Sequence, residues 1–275
     1  VTYLPVDNAG RVLAGDLNNA IRDDTILITI MTANNEIGTI QPIRELGAIA
    51  REKGILFHTD AIQAVGHIPI DVAGMNIDMM SIAAHKFRGP KGVGALYIKK
   101  GSYIPPLLYG GGQESKRRSS TENVAGAAGM AAALEEAVSN MSANIEKTTA
   151  MRERLITELL KIPFSQLTGD PENRLPGTAS FVFECVEGEA MILMLDNAGI
   201  CASSGSACSS ASLDPSHVLL AIGLKHEVAH GSVRLSINET TTGEDIDYIL
   251  ETLPPIIDKL RSMSPLWEDK LSGKL

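Results

Sequence analysis

Short apolar runs and one amphipathic stretch alternate through the first third of the chain. Residues 25–30 (TILITI) read as a short buried strand, and 55–60 (ILFHTD), 79–85 (MMSIAAH) and 92–98 (GVGALYI) as further strands. Between the first two, residues 43–54 (IRELGAIAREKG) place apolar side chains at helical spacing and stop on a glycine. Strands joined through a helix of about three turns predict crossover units and a largely parallel sheet. Such sheets collect ligand-contacting residues at the carboxyl ends of their strands. Asn35, Asp60, His85 and Lys86 stand at or just past those ends.

A glycine-rich, then polar and basic segment, residues 109–124 (YGGGQESKRRSSTENV), reads as a loop. From Thr121 an alanine-rich helical pattern runs to about Lys161, with a domain change near residue 142. The remainder predicts strands over 179–185 and 232–237 and helices over 188–198, 216–223 and 243–262. The expected organisation is an α/β unit over 1–142 and a smaller α+β unit over 143–275, with no internal repeat.

Composition narrows the class. With 44% apolar and 21% charged residues in 275, the chain has the make-up of a soluble globular protein. A net charge of −9 argues against nucleic acid, which rewards basic faces. No window is apolar for the length of a membrane helix. Three cysteines, Cys185, Cys201 and Cys208, are too few for a disulfide framework, and with no signal peptide visible the expected setting is the reducing cytoplasm. The chain opens on Val1 and enters an apolar stretch at once, so an upstream segment is expected.

The segment SIAAHKFRGPKGVGALYI, residues 81–98, puts a lysine at the tip of a buried strand. A buried ammonium is costly and needs a partner or a task. GPKGVG, residues 89–94, supplies neither: no Gly-Lys-Ser/Thr closes a phosphate loop, and a strand rather than a helix follows. HEVAH, residues 226–230, matches the zinc-hydrolase pattern, but Gly223 and Gly231 leave little room for a helix and no third ligand follows. It is expected to be a loop with two exposed or capping histidines and no metal.

Cys208 lies in CASSGSACSS, residues 201–210, where small residues keep a thiol accessible; Cys185 and Cys201 read as core residues beside strands. Arg234 sits inside the apolar strand SVRLSI, and without further context a solvated face is the simplest place for it. Asp60 precedes an apolar run as a helix cap would, or is a buried carboxylate that holds a cation, with Gln63 one turn on. A strand-end lysine and a strand-end aspartate are what pyridoxal phosphate chemistry needs: an amine to bond the aldehyde, and a carboxylate to keep the pyridine nitrogen protonated.

TANNEIGTIQPI, FHTDAIQAVGHIPIDV, SIAAHKFRGPKGVGALYI, YGGGQESKRRSSTENV, SSGSACSS and GSVRLSIN occur in this order. Together they resemble the cysteine desulfurases, class V aminotransferase-like enzymes of pyridoxal-phosphate fold type I. The resemblance implies a largely parallel, partial cofactor-binding domain over 1–142 and a small α+β domain over 143–275. It implies pyridoxal 5'-phosphate bonded to Lys86. Asp60 would pair with the pyridinium nitrogen and Gln63 would donate to the ring phenolate oxygen. Asn35 would contact that oxygen or the substrate carboxylate. His85 would touch the phosphate, and Thr121 the phosphate of a neighbouring subunit, hence a homodimer. Arg234 would clamp the carboxylate of L-cysteine, and Cys208 would become a persulfide that passes sulfur to an acceptor scaffold protein.

Two departures stand out. Ala83 replaces a serine usual three positions before the lysine. The upstream glycine-and-threonine phosphate cup and ring-stacking histidine of the family are not found, which leads to the expectation of a fragment. Other readings are a related class V lyase or aminotransferase such as a selenocysteine lyase, a non-catalytic fragment that only dimerises or binds partners, and a zinc hydrolase on HEVAH.

Overall fold

The structure, a computed structural model, describes residues 1–205 and 214–273. The elements begin with α1 (Ala14–Ala20), β1 (Leu27–Met31), α2 (Ile43–Glu52), β2 (Leu56–Asp60), β3 (Met79–Ala83) and β4 (Gly94–Ile98). The short turn α3 (Gln113–Lys116), α4 (Val124–Ser139), α5 (Met141–Leu159), β5 (Ser165–Leu167) and β6 (Thr178–Phe183) follow. Then come α6 (Gly188–Asn197), α7 (His217–Ala221), α8 (His226–Ala229), β7 (Ser232–Ser236), α9 (Gly243–Met263) and α10 (Pro265–Leu271). They form two compact units. One holds Asn18–Thr32 and Pro42–Met141; the other holds Val1–Leu17, Ala33–Gln41 and Ser142–Leu275.

The first unit carries a four-stranded sheet in the order β1-β2-β3-β4. β1, β2 and β3 are parallel; β4 runs antiparallel to β3. The reversal follows from the connection. Residues 84–93 hold one turn of 3-10 helix and no crossover helix, so the chain returns beside the strand it has just left. On β2, Phe57 and Thr59 are buried while His58 and Asp60 share the other face. The long helical stretch expected from Thr121 to Lys161 is broken at Asn140. Its side-chain amide donates to the Glu136 carbonyl at 3.0 Å, which ends α4, and α5 starts at the next residue.

The second unit is built on the antiparallel sheet β5-β6-β7. One face of this sheet presents Phe181, Phe183, Val233 and Leu235, which pack with Leu155 and Leu159 of α5, Leu195 of α6, and Leu253 and Ile257 of α9. Each such buried side chain contributes about 1.5–3 kcal/mol. Val182, pointing the opposite way, packs with Ile37, Leu219, Ile222 and Ala229. That second core explains why Ala33–Gln41 belongs to this unit. The C-terminal helix α10 is held by Trp267, which meets Phe164 edge-on and lies 4.4 Å under the Arg261 guanidinium. Among the described residues, no helix is long and apolar enough to cross a membrane.

Candidate active site

In the first unit, backbone hydrogen bonds fix Asp60 from both flanking strands. Its carbonyl accepts the Thr32 N–H at 2.7 Å, and the N–H of Ala61 goes to the Ser81 carbonyl at 3.1 Å. The carboxylate, expected to be buried, is exposed at the carboxyl end of β2, and Oδ1 accepts the Ile62 N–H at 2.9 Å, which is the contact of a turn cap. Gln63 is half-buried in the turn that follows. β3 pairs Ser81 with Asp60 and then ends in the 3-10 turn Ala84–Phe87, which carries exposed His85 and half-buried Lys86. Asp60, Gln63, His85 and Lys86 therefore leave neighbouring strands at the same end of the sheet.

The lysine turn is anchored through its backbone. His67 Nε2 donates to the Lys86 carbonyl at 2.9 Å, and Phe87 is buried. Gly66, with φ +83°, lets the preceding turn approach; a Cβ there would lie 2.9 Å from Phe87 Cβ. The Lys86 amine has no ion pair or hydrogen bond among the described residues, and Asp60 forms no ion pair among them. The lysine at the strand tip is thus an amine without a bonding partner among the described residues, in the turn after the strand paired with Asp60. Thr121 lies exposed on the loop before α4, whose first turn is capped by Asn123 accepting from the Gly126 N–H at 3.0 Å.

Two histidines escaped the sequence reading. His67 sits in an apolar turn with no local signal. His58 bridges three strands: Nδ1 is 2.7 Å from Thr29 Oγ1 and Nε2 is 2.9 Å from Ser81 Oγ. Burial pushes the His58 imidazole below its ordinary pKa, while nearby Asp60 pulls it up. A lowered folded-state pKa means that the unfolded chain binds the proton first. Stability linked to His58 is complete above the ordinary histidine range near 6.5 and is lost as pH falls through the folded value. Imidazole NMR is expected to show His58 still neutral at a pH where exposed histidines are half protonated; titration at or above the ordinary value would contradict this.

In the second unit the sequence Asn34–Thr39 makes a tight turn. Asn34 Oδ1 accepts the N–H groups of Glu36 and Ile37 at 2.8 and 3.1 Å, and the Asn34 N–H meets the Thr39 carbonyl at 2.9 Å. This presents Asn35, half-buried, to β7, where Arg234 Nη1 donates to the Asn35 carbonyl at 2.5 Å. The solvated position read for Arg234 from its strand alone is corrected. It pairs with Ser180 across the sheet, on the Val182 face, which is covered by the 33–41 segment. Cys208 lies outside the described residues.

Three smaller readings also change. HEVAH is not a loop but the one-turn helix α8, with the His226 and His230 rings 4.7 Å apart; among the described residues no group of three His, Cys, Asp or Glu side chains could hold a metal. Cys201 is exposed rather than in the core. Cys185 is half-buried with φ +62° and lines a cleft of about 800 Å³ with Val228, Leu260, Met263 and Leu266. Burial, reinforced by Glu184, pushes its thiol pKa up.

An available lysine amine and a carboxylate at adjacent strand ends, with glutamine and histidine donors beside them, fit an aldehyde-bearing, phosphorylated pyridine. Ala83 is the misfit, since it offers no hydroxyl. The chain belongs to the aminotransferase class-V family, which it matches over residues 1–249, a family dependent on pyridoxal phosphate. It is 57% identical to the cysteine desulfurase IscS of Clostridium botulinum over its whole length, spanning 70% of that protein. Among solved structures it matches a NifS-like protein at TM-score 0.87 and 38% identity, over 94% of this chain and 68% of that one. It also matches SspA in complex with cysteine at TM-score 0.74 and 36% identity, over 88% of this chain and 67% of that one.

Proposed function

We propose that the chain carries the chemistry of a cysteine desulfurase: L-cysteine is converted to L-alanine, and its sulfur passes to Cys208 as a persulfide. The observation that carries this reading is the Lys86 amine, without a hydrogen bond or ion pair among the described residues, in the turn that follows the strand paired with Asp60. Pyridoxal phosphate, when bound, supplies a ring that withdraws electrons from the substrate carbon. Lys86 would hold the cofactor aldehyde, and its free amine would take the proton from the substrate Cα. Asp60 would keep the proton on the pyridine nitrogen, Gln63 would donate to the phenolate oxygen, and Asn35 would contact that oxygen or the substrate carboxylate. Arg234, already presented toward Asn35, binds the substrate carboxylate through its planar fork.

His85 serves the phosphate, and Thr121 reaches the phosphate of a second subunit in a homodimer. Ala83 removes one charge-assisted contact to that phosphate, a difference of about 1.5–3 kcal/mol. Cys208, as thiolate, attacks the substrate sulfur. The new S–S bond would form as the Cβ–S bond breaks; Cβ would keep the electron pair and take a proton, and Lys86 would return a proton to Cα, giving alanine. Sulfur then moves to an acceptor scaffold protein in the cytoplasm. Residues 1–142 provide the cofactor end and residues 143–275 the small domain with the cysteine loop.

The direct test is chemical. Purified chain mixed with pyridoxal phosphate and then borohydride is expected to carry one reduced adduct, on the peptide containing Lys86. Labelling of other lysines with Lys86 unmodified would overturn the assignment.

A further inference from the structure

The segment Ala33–Gln41, which presents Asn35 to Arg234, is stitched to a turn far along the chain in the same unit. The Asp170 N–H donates to Thr39 Oγ1 at 2.9 Å, across 131 positions. The Ile40 N–H goes to the Asn173 carbonyl at 2.8 Å, and the Leu175 N–H to the Gly38 carbonyl at 2.8 Å. The two backbones lie so close that Gly169, with φ +80°, admits no side chain. A Cβ there would stand 2.7 Å from both the Ile37 carbonyl oxygen and Thr39 Oγ1.

Arg174 closes this seam. One nitrogen, Nη2, donates to the Ile37 and Thr168 carbonyls, each at 2.6 Å. Nε and Nη1 are buried with no hydrogen-bond partner among the described residues, and the residue is 3% exposed. Burial, and after it the charge of Arg152, pull its pKa down to about 10, which leaves it protonated at neutral pH. A buried cation beside another, with donors unsatisfied, is costly, and an apolar side chain would fill the space more cheaply. What the charge secures is the pair of carbonyls, and one of them lies two residues from Asn35. Nothing in the chemistry assigned to Lys86, Asp60, Arg234 or Cys208 calls on Arg174.

The connection onward is short. Asn34 Oδ1 holds the N–H groups of Glu36 and Ile37, so the Asn35 and Ile37 carbonyls belong to one turn. Ser216 Oγ donates to the Glu36 carboxylate from the other side, but that bond runs through a side chain with its own torsions, whereas Arg174 grips the backbone. The Arg234 backbone is fixed separately: its N–H donates to the Ser203 carbonyl at 2.6 Å, and its carbonyl accepts the Ser203 N–H at 3.2 Å. The Asn35 carbonyl, 2.5 Å from Arg234 Nη1, therefore bears on the direction of the guanidinium.

We propose that Arg174 is a positioning residue for the substrate-carboxylate site: by holding the Ile37 carbonyl it fixes the turn that carries Asn35, and the Asn35 carbonyl aims the Arg234 fork. This deepens the desulfurase reading and rests on it.

The test uses the full-length enzyme loaded with pyridoxal phosphate. Arg174→Met keeps an apolar stem and removes every donor. It is expected to raise KM for L-cysteine about tenfold with kcat within about twofold, because carboxylate binding lost equally from ground state and transition state shows in KM. Borohydride labelling of Lys86 should be unchanged. Phenylglyoxal should modify Arg234 several-fold faster in the variant, a readout that needs neither cofactor nor turnover. Arg174→Gln, shorter and neutral, is a second disruptive variant with the same expectation. Since one nitrogen makes both bonds, Arg174→Lys, whose ammonium can donate to both carbonyls, should keep wild-type KM. Arg261→Met removes another buried arginine of this unit, bonded to the Glu184 and Phe164 carbonyls, and should lower stability with KM unchanged. Wild-type KM and wild-type phenylglyoxal rate in both disruptive variants overturn the proposal. A rise in KM that Arg261→Met reproduces or that Arg174→Lys shares overturns it too, as does loss of the Lys86 adduct in both disruptive variants, since each marks general damage. A wild-type enzyme with no Lys86 adduct removes the desulfurase reading and this proposal with it; an adduct with indifferent variants removes only the role of Arg174.

Discussion

Lys86→Arg is expected to abolish desulfuration, lowering alanine formation from cysteine by about a thousandfold or more. Arginine keeps the positive charge and most of the length, yet its guanidinium stays protonated and neither bonds the aldehyde nor takes a proton from Cα. The fold should tolerate the change. The lysine side chain makes no hydrogen bond or ion pair among the described residues, whereas the turn depends on the Lys86 carbonyl, held by His67, and on buried Phe87. Thermal unfolding of the variant should therefore stay within about 0.5 kcal/mol of wild type, and the borohydride adduct should vanish. An active Lys86→Arg enzyme, or one whose inactivity tracks a collapse in stability, would remove Lys86 from the chemistry.

Why the strand ends at Asp60 and before Lys86 were legible while longer contacts were not is a matter of range. β1, β2 and β3 are short apolar runs whose ends show in the chain itself, so a polar residue just past each end announces the edge of the sheet. The break at Asn140 was hidden because one asparagine in an alanine-rich stretch is a weak signal. β5, three residues long, and the single turn α8 fall below the length at which periodicity can be counted. Arg234 was misread because a strand's two faces are equivalent until the second layer is known, and that layer is a segment about two hundred residues earlier in the chain. The Glu36–Ser216 contact spans 180 positions, and the His58 bridge joins positions 29 and 23 apart. No local pattern encodes either, although an acid inside the otherwise uncharged TANNEIGTI was a hint that a buried partner existed.

Cys208→Ala separates capture of the cofactor from capture of sulfur, and its expected effect is as large as that of Lys86→Arg. Loss of the attacking thiolate leaves the substrate C–S bond without an acceptor for its sulfur, so turnover should fall by about a thousandfold and no persulfide should form. Borohydride labelling of Lys86 should proceed as in wild type, because the thiol has no part in holding the aldehyde. The other two cysteines are poor substitutes for different reasons. The Cys185 thiol is pushed toward its protonated form by burial and by Glu184, and thiolate is the reactive species. Cys201 is exposed, but it sits next to the Ser203–Arg234 backbone pair that ties the chain down. Cys185→Ala and Cys201→Ala should accordingly keep wild-type turnover and wild-type persulfide. Persistent sulfur transfer in Cys208→Ala, lost only when Cys185 or Cys201 is also replaced, would move the nucleophile to that residue.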